Sequence, residues 1–265
     1  MWRLLLSPAM TGADNMALDE ALMLRARDTG EWTLRVYGWS RPTLSLGRNQ
    51  VARGGYDLDA LYRRGIDIVR RPTGGRAILH EREVTYSVTG HVDAAGDLRE
   101  SYGRINRLLV EGLRSLGVPA AVVARPSRTE RSDSHHQAID RPGLVPCFDH
   151  PSPGEITLDG RKLAGSAQWR SEGAFLQHGS ILLDDDQMHI ASLLTRPAPV
   201  VPLPATLRQA LGRSPSLEEV AEALFAAVRH LEDPAAARLD VDARLRARTD
   251  TLRARYLDAC WTWRR

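Results

Sequence analysis

The chain has 265 residues, 43% hydrophobic and 26% charged, the balance of a globular protein able to bury one full α/β core, which excludes disordered, collagen-like and coiled-coil chains. A net charge of +3 is too mild to argue for nucleic acid and suits acidic protein partners or anionic ligands at least as well. No apolar run reaches the ~18 residues of a membrane helix, the opening MWRLLLSPAM is short for a secretory signal, and two cysteines, Cys147 and Cys260, make no disulfide framework, so a cytoplasmic protein without a membrane partner is expected.

No internal repeat breaks the chain. Asp14 to Arg27 has helical spacing through Leu18, Ala21, Leu22 and Arg25, with Asp14 or Asn15 as cap and Gly30 as stop. Trp32 to Trp39 alternates as a strand and Thr43 to Leu46 forms a second. A short helix around Leu58 to Arg64 precedes a buried strand at Ile66 to Arg70, which runs into Pro72-Thr73-Gly74-Gly75-Arg76 and two further strands, Ala77 to His80 and Glu83 to Val88. Leu98 to Leu116 reads as a helix striped by Ile105, Leu108, Leu109, Gly112 and Leu116. Arg125 to Pro146 is polar and aperiodic, a long surface loop of the kind that is functional or disordered. Glu155 to Leu158 and Lys162 to Trp169 flank the turn signal Asp159-Gly160, and Phe175 to Leu183 extends the meander. The remainder is helical, with a capping box Ser216-Leu217-Glu218-Glu219 and a last helix from Val241 to Leu257. Strands first, hairpins in the middle and helices last predict a mixed sheet with flanking helices, not a doubly wound parallel fold.

Lys162 is the only lysine among 36 Lys and Arg residues. Arginine keeps its proton above pH ~12 whereas an ammonium can be tuned, so the survivor is either left by chance or kept for its chemistry. An alternating strand would set Lys162, Ala164, Ser166 and Gln168 on one face and Leu163, Gly165 and Ala167 on the other. Gly74-Gly75 alone suits a plain turn, and Arg70, Arg71 and Arg76 around it favour a loop facing an anion or carbonyl. It matches neither the phosphate loop nor the dinucleotide fingerprint. Cys147 sits at the end of the long loop, where a cation would lower its pKa from about 8.5. Cys260, among aromatics, suits core filling. No zinc spacing links His135, His136, His150, His178 and Cys147, so no metal is expected.

Three blocks in order resemble the catalytic domain of the biotin and lipoate protein ligases: Arg70-Arg71-Pro72-Thr73-Gly74-Gly75-Arg76-Ala77 with His80, Gly160 to Gln168, and His178-Gly179-Ser180. Asn15 to Glu20 and Trp39 to Gly47 match the lipoate branch. Cys147-Phe148-Asp149-His150-Pro151-Ser152 is similar to a block of the LipM-type octanoyltransferases, although Pro153-Gly154-Glu155 departs from the aromatic-Glu that often follows. The resemblance implies an α+β fold with a mixed, largely antiparallel sheet over about residues 10–185, a helical part over 186–265, and one catalytic domain. It implies an octanoyltransferase without cofactor, taking its acyl group from octanoyl-acyl carrier protein onto Cys147 beside Lys162 and passing it to a lysine of a lipoyl-domain protein such as the glycine-cleavage H protein. Arg71, Thr73, Gly74, Gly75, Arg76, His80, Gly165, Ser166, Ala167, His178 and Gly179 would hold the substrate, and Arg71, Arg76 and their neighbours would meet acidic carrier faces. An ATP-dependent lipoate ligase, in which Cys147 is incidental, is the alternative. A binding module is a third reading, and it expects catalytic residues to be lost.

Overall fold

The computed structural model describes residues 1–93, 96–124, 154–185, 187–197 and 202–265. The polar loop expected from Arg125 and the Cys147 block therefore lie outside the described residues. In chain order the elements are β1 (Trp2–Leu6), α1 (Gly12–Thr29), β2 (Trp32–Tyr37), β3 (Thr43–Leu46), α2 (Leu58–Arg63), β4 (Asp67–Arg70), β5 (Ile78–His80), β6 (Glu83–His91), α3 (Leu98–Ser115) and β7 (Ala121–Val122). After them come β8 (Ile156–Leu158), β9 (Arg161–Ser171), β10 (Ala174–Leu182), a 3-10 helix (Gln187–Leu193), α4 (Leu207–Leu211), α5 (Leu217–Leu231), β11 (Ala237–Arg238), α6 (Ala243–Leu257) and α7 (Ala259–Thr262).

Eight strands form the main sheet in the order β11-β1-β2-β6-β10-β9-β8-β7, and three form a second in the order β4-β3-β5. The β2/β6, β6/β10, β10/β9, β9/β8 and β8/β7 pairs are antiparallel, while β11 and β2 pair parallel to β1. The sheet is thus mixed and largely antiparallel, as expected. One face carries α3 and α5, whose Ile105, Leu108, Leu109, Leu224 and Phe225 join Trp32, Leu34, Val88 and Phe175 in the largest core. Toward the other face lies α1, packed on α6 through Leu18, Ala21, Leu22 and Leu245. The second sheet has its own core of Leu44, Leu46, Leu61, Leu79 and Leu193. No helix among the described residues is long and apolar enough to cross a membrane.

Four local readings change, the first being that Cys260, expected to fill the core, is exposed on α7. The cap of α1 is Thr11, whose hydroxyl oxygen accepts from the Asp14 N–H, while Asn15 is buried and donates to the Met10 and Gly38 carbonyls. The opening Trp2–Leu6 is a strand, unforeseen because its two faces are both apolar: Trp2 and Leu4 enter the main core and Leu5 the α1/α6 core. The strict alternation expected of β9 fails at a bulge, where Ile156 pairs with Ala164 but Thr157 with Lys162, so Leu163 and Ala164 both enter the core. The turn at Asp159-Gly160 does form, with φ of 49° and 73°.

Candidate active site

A cavity of about 430 Å³, measured to its open mouth, lies between the two sheets. Its walls come from Met16 of α1, Tyr37 and Trp39, Ser45 of β3, Arg71 and Gly75, Ile78 and His80 of β5, Thr85 of β6, Gly165 to Ala167 of β9, and His178 to Ser180 of β10. Glycines let the walls come close. A Cβ at Gly179 would fall 2.4 Å from the Gly165 carbonyl oxygen, and one at Gly47 only 1.8 Å from that of Gly75. Ala or any larger residue at Gly47 would therefore push the Arg71–Arg76 loop off its seat.

That loop is braced from within. Arg71, 3% exposed, donates to the Ser45 carbonyl at 3.0 Å, the Gly74 carbonyl at 2.8 Å and the Arg76 carbonyl at 2.7 Å. A guanidinium so enclosed cannot meet the surface of a carrier protein, which corrects the docking role expected of it. Arg71 instead shapes the loop and lines the cavity, and Gly75 takes the φ of 93° that closes it. Gly74 and Arg76 are half-buried beside it and are not among the lining residues.

Thr73 and His178 connect the loop to β10. The Thr73 hydroxyl lies 2.6 Å from His178 Nε2, and His178 Nδ1 lies 3.2 Å from Asp19 Oδ2. Asp19, fully buried in α1, also accepts from Arg35 at 2.7 Å, Tyr37 at 2.8 Å and Ser87 at 2.7 Å. Burial opposes its charge, but the Arg35 guanidinium and the His178 and Ser87 bonds outweigh it and hold the carboxyl below its ordinary value. Burial in turn pushes the His178 imidazole down despite Asp19 beside it. A charged carboxylate can only accept, so Nδ1 carries the proton and the Thr73 hydroxyl donates to Nε2. His80 forms a second fixed ring: its Nδ1 is 2.9 Å from Glu83, its Nε2 2.8 Å from the Ser45 hydroxyl, and it stacks on Trp39 at 4.0 Å.

Lys162 lies at the start of β9, 3% exposed, with Nζ 2.7 Å from Glu155. It is outside the cavity lining. Ser166, part of that lining, lies 2.6 Å from the Tyr86 hydroxyl. Tyr102 of α3 bonds to Ser166, and burial and the Glu155 charge push its phenol up while Lys162 draws it down. The ion pair therefore stands on the α3 side of the wall formed by Gly165, Ser166 and Ala167.

Of the residues singled out in the sequence, Arg71, Gly75, His80, Gly165, Ser166, Ala167, His178 and Gly179 share this cavity, and Thr73 touches it through His178. Cys147 lies outside the described residues. Asp19, Arg35 and Tyr37, which hold His178, and Glu155, which holds Lys162, are not foreseen. Asp19 falls within the Asn15 to Glu20 block that matches the lipoate branch, but nothing in its neighbours marks it as the partner of His178.

The family model for the lipoyl protein ligase A/B catalytic domain matches residues 11–229. An octanoyltransferase LipM from Kyrpidia tusciae is 42% identical, the match covering 100% of this chain and 99% of the relative. A second octanoyltransferase LipM, from Symbiobacterium thermophilum, is 44% identical over 85% of this chain and 84% of its own length. In fold, the chain is similar to a bi-partite lipoate protein ligase of Thermoplasma acidophilum (TM-score 0.71, 22% identity, 98% of this chain and 95% of that one). It is also similar to a lipoate-protein ligase A bound with ATP (TM-score 0.75, 23% identity, 98% of each chain).

Proposed function

The chain belongs to the lipoyl protein ligase A/B catalytic-domain family, and from that membership we propose that it is an octanoyltransferase, moving an octanoyl group from an acyl carrier protein through a thioester on Cys147 to a lysine of a lipoyl domain. Relatives matched along the whole chain carry the octanoyltransferase name, and the ligase-like neighbours speak for the fold alone. The observation that supports the chemistry most is the seat of the only lysine, enclosed and ion-paired on the strand that supplies the cavity wall. The same proposal takes residues 1–265 as one catalytic unit in the cytoplasm.

In the first half-reaction the Cys147 thiolate attacks the carbonyl carbon of the carrier thioester. The new carbon–sulfur bond forms as the old one breaks, and the carrier thiol leaves with the proton Cys147 gave up. The Lys162 ammonium supplies the field that favours the thiolate. In the second half the acceptor lysine attacks as a free amine, an amide forms, and the Cys147 thiolate departs. The surplus proton passes to Lys162, which is by then a neutral amine because its ammonium protonated the departing carrier thiolate, so the starting thiolate and ammonium are restored while Glu155 holds Nζ in place. In this reading backbone N–H groups near Lys162 to Gly165 are the candidates to hold the carbonyl oxygen, Gly74 and Gly75 let the head of the chain pass, and the apolar cavity takes its tail. Thioester and thiol exchange at similar energy, so ATP has no part in the cycle.

Intact-mass analysis after mixing with octanoyl-acyl carrier protein should show one octanoyl adduct, located on Cys147. Cys147→Ser should abolish it, and a variant forming product at the parental rate would remove the assignment. Lys162→Arg should fold normally yet lose at least about 100-fold in rate, since charge survives but proton exchange does not. Turnover that instead requires ATP and free lipoate, with release of pyrophosphate, would identify a ligase.

A further inference from the structure

Four arginines gather on one rim beside the cavity. Arg48 follows Gly47, the residue pressed on the Gly75 carbonyl, and its N–H donates to the Thr73 carbonyl at 2.7 Å. Its guanidinium lies 5.0 Å from the ring of Trp169, two residues beyond Ala167 of the cavity wall. Arg53 is five residues on. Arg264 and Arg265 return to the same place from the far end of the chain: Arg264 donates to the Arg48 carbonyl, and the Arg265 main-chain oxygen accepts from the Ala52 and Arg53 N–H groups at 3.1 and 3.2 Å. All four side chains are half-buried or exposed, and no carboxylate side chain among the described residues forms an ion pair with any of them. Beneath them the buried Arg70 is met by the carbonyls of Gly47, Gln50 and Thr262, with its Nη2 unbonded.

Without a side-chain carboxylate between them, Arg48, Arg70, Arg264 and Arg265 repel one another. Burial first, then Arg264, Arg265 and Arg71, draws Arg70 down to about 10, and burial followed by Arg48, Arg265 and Arg255 draws Arg264 down. Such an arrangement stores unfavourable energy until an anion is bound. Guanidiniums present a planar fork that fits phosphate oxygens two at a time. The rim also adjoins the loop that closes the cavity, so an anion bound here lies beside the mouth. An acceptor lysine is itself a cation and is repelled by this rim. The donor differs: its thioester sits at the end of a flexible arm joined to an acidic carrier protein through a phosphodiester.

Resting on the transferase reading, we propose that Arg48, Arg53, Arg264 and Arg265 form the docking surface for the acyl donor, gripping its phosphodiester and the acidic face behind it. The acceptor lysine then enters from elsewhere.

The test compares two donors, octanoyl-acyl carrier protein and octanoyl-pantetheine, which has the same thioester but no phosphate or protein. Arg265→Glu, at an exposed side chain with no ion pair to a carboxylate side chain among the described residues, and the pair Arg264→Gln with Arg265→Gln are assayed with a thermal melt alongside. The expected result is a KM for the carrier-borne donor raised about tenfold at low salt, a kcat within about twofold, and a difference that shrinks as salt is added. The KM for octanoyl-pantetheine and for the lipoyl-domain acceptor should not move. An equal rise for both donors, no rise for either, or a rise for the acceptor instead would overturn the docking assignment. Failure of the unaltered protein to use either donor would overturn the transferase reading, and this inference with it.

Discussion

Asp19 concentrates the electrostatics of the site in one carboxylate. It is fully buried with Arg35, so Asp19→Asn leaves a charged guanidinium without its counterion and should cost about 3 kcal/mol of stability, measured by urea unfolding. Its pKa lies below the ordinary 3.8, so its contribution is present above that value and is lost as pH falls through the folded one. His178 acts in the same direction nearer neutrality. The unfolded chain binds a proton at this imidazole below pH 6.5, whereas the fold, with a lowered pKa, does not. Stability should therefore decline as pH drops below 6.5, and His178→Gln should flatten that slope, which unfolding curves between pH 5 and 7 would record. Gly47 makes a steric prediction. With the Gly75 oxygen 1.8 Å from a new Cβ, Gly47→Ala should destabilise by about 3 kcal/mol and lower activity, since the loop that closes the cavity must shift.

Helix ends follow simpler rules than the site. The Ser216 hydroxyl accepts from the Glu219 N–H at 3.1 Å while the Glu219 carboxylate accepts from the Ser216 N–H at 2.9 Å. Ser216→Ala should cost ~1 kcal/mol, a fall in Tm of about 2–4 °C, with no change in activity because α5 packs on the far side of the sheet from the cavity. This box is plain in the sequence, as are the spans Thr43–Leu46 and Leu217–Leu231 and the Asp159-Gly160 turn, because each is decided by neighbours within four residues. The paired glycines, the small residues after Lys162 and His178-Gly179 also mark the cavity in advance, since close backbone approach leaves a local trace. What distance decides is hidden. Asp19 finds its partners at positions 35, 37, 87 and 178, and the β9 bulge depends on its pairing with β8. Arg71 looks like a surface cation until the strands close over it.

Across the whole molecule, the second sheet is clasped by Trp261 and Thr262 of α7 near the end of the chain. Arg70 of β4 donates to the Thr262 carbonyl at 2.7 Å and Trp261 Nε1 donates back to the Arg70 carbonyl at 2.8 Å. Arg70 also donates to Gly47 at 2.6 Å, tying this clasp to the residue that seats the cavity loop. Arg70→Met would remove the guanidinium that donates to the Gly47, Arg48, Gln50 and Thr262 carbonyls and should cost about 3 kcal/mol or more, with faster hydrogen exchange in α7 and in residues 47–53 as the readout. The scarcity of lysine acts over the same whole-molecule scale. An enzyme that hands activated acyl groups to amines risks becoming their target, yet its exterior is dressed in guanidiniums, which do not accept acyl chains at neutral pH. The one side-chain amine it owns is 3% exposed and locked to Glu155. A coat of this kind spares the catalyst from tagging itself, and leaves the lysine of the visiting protein as the nucleophile within reach.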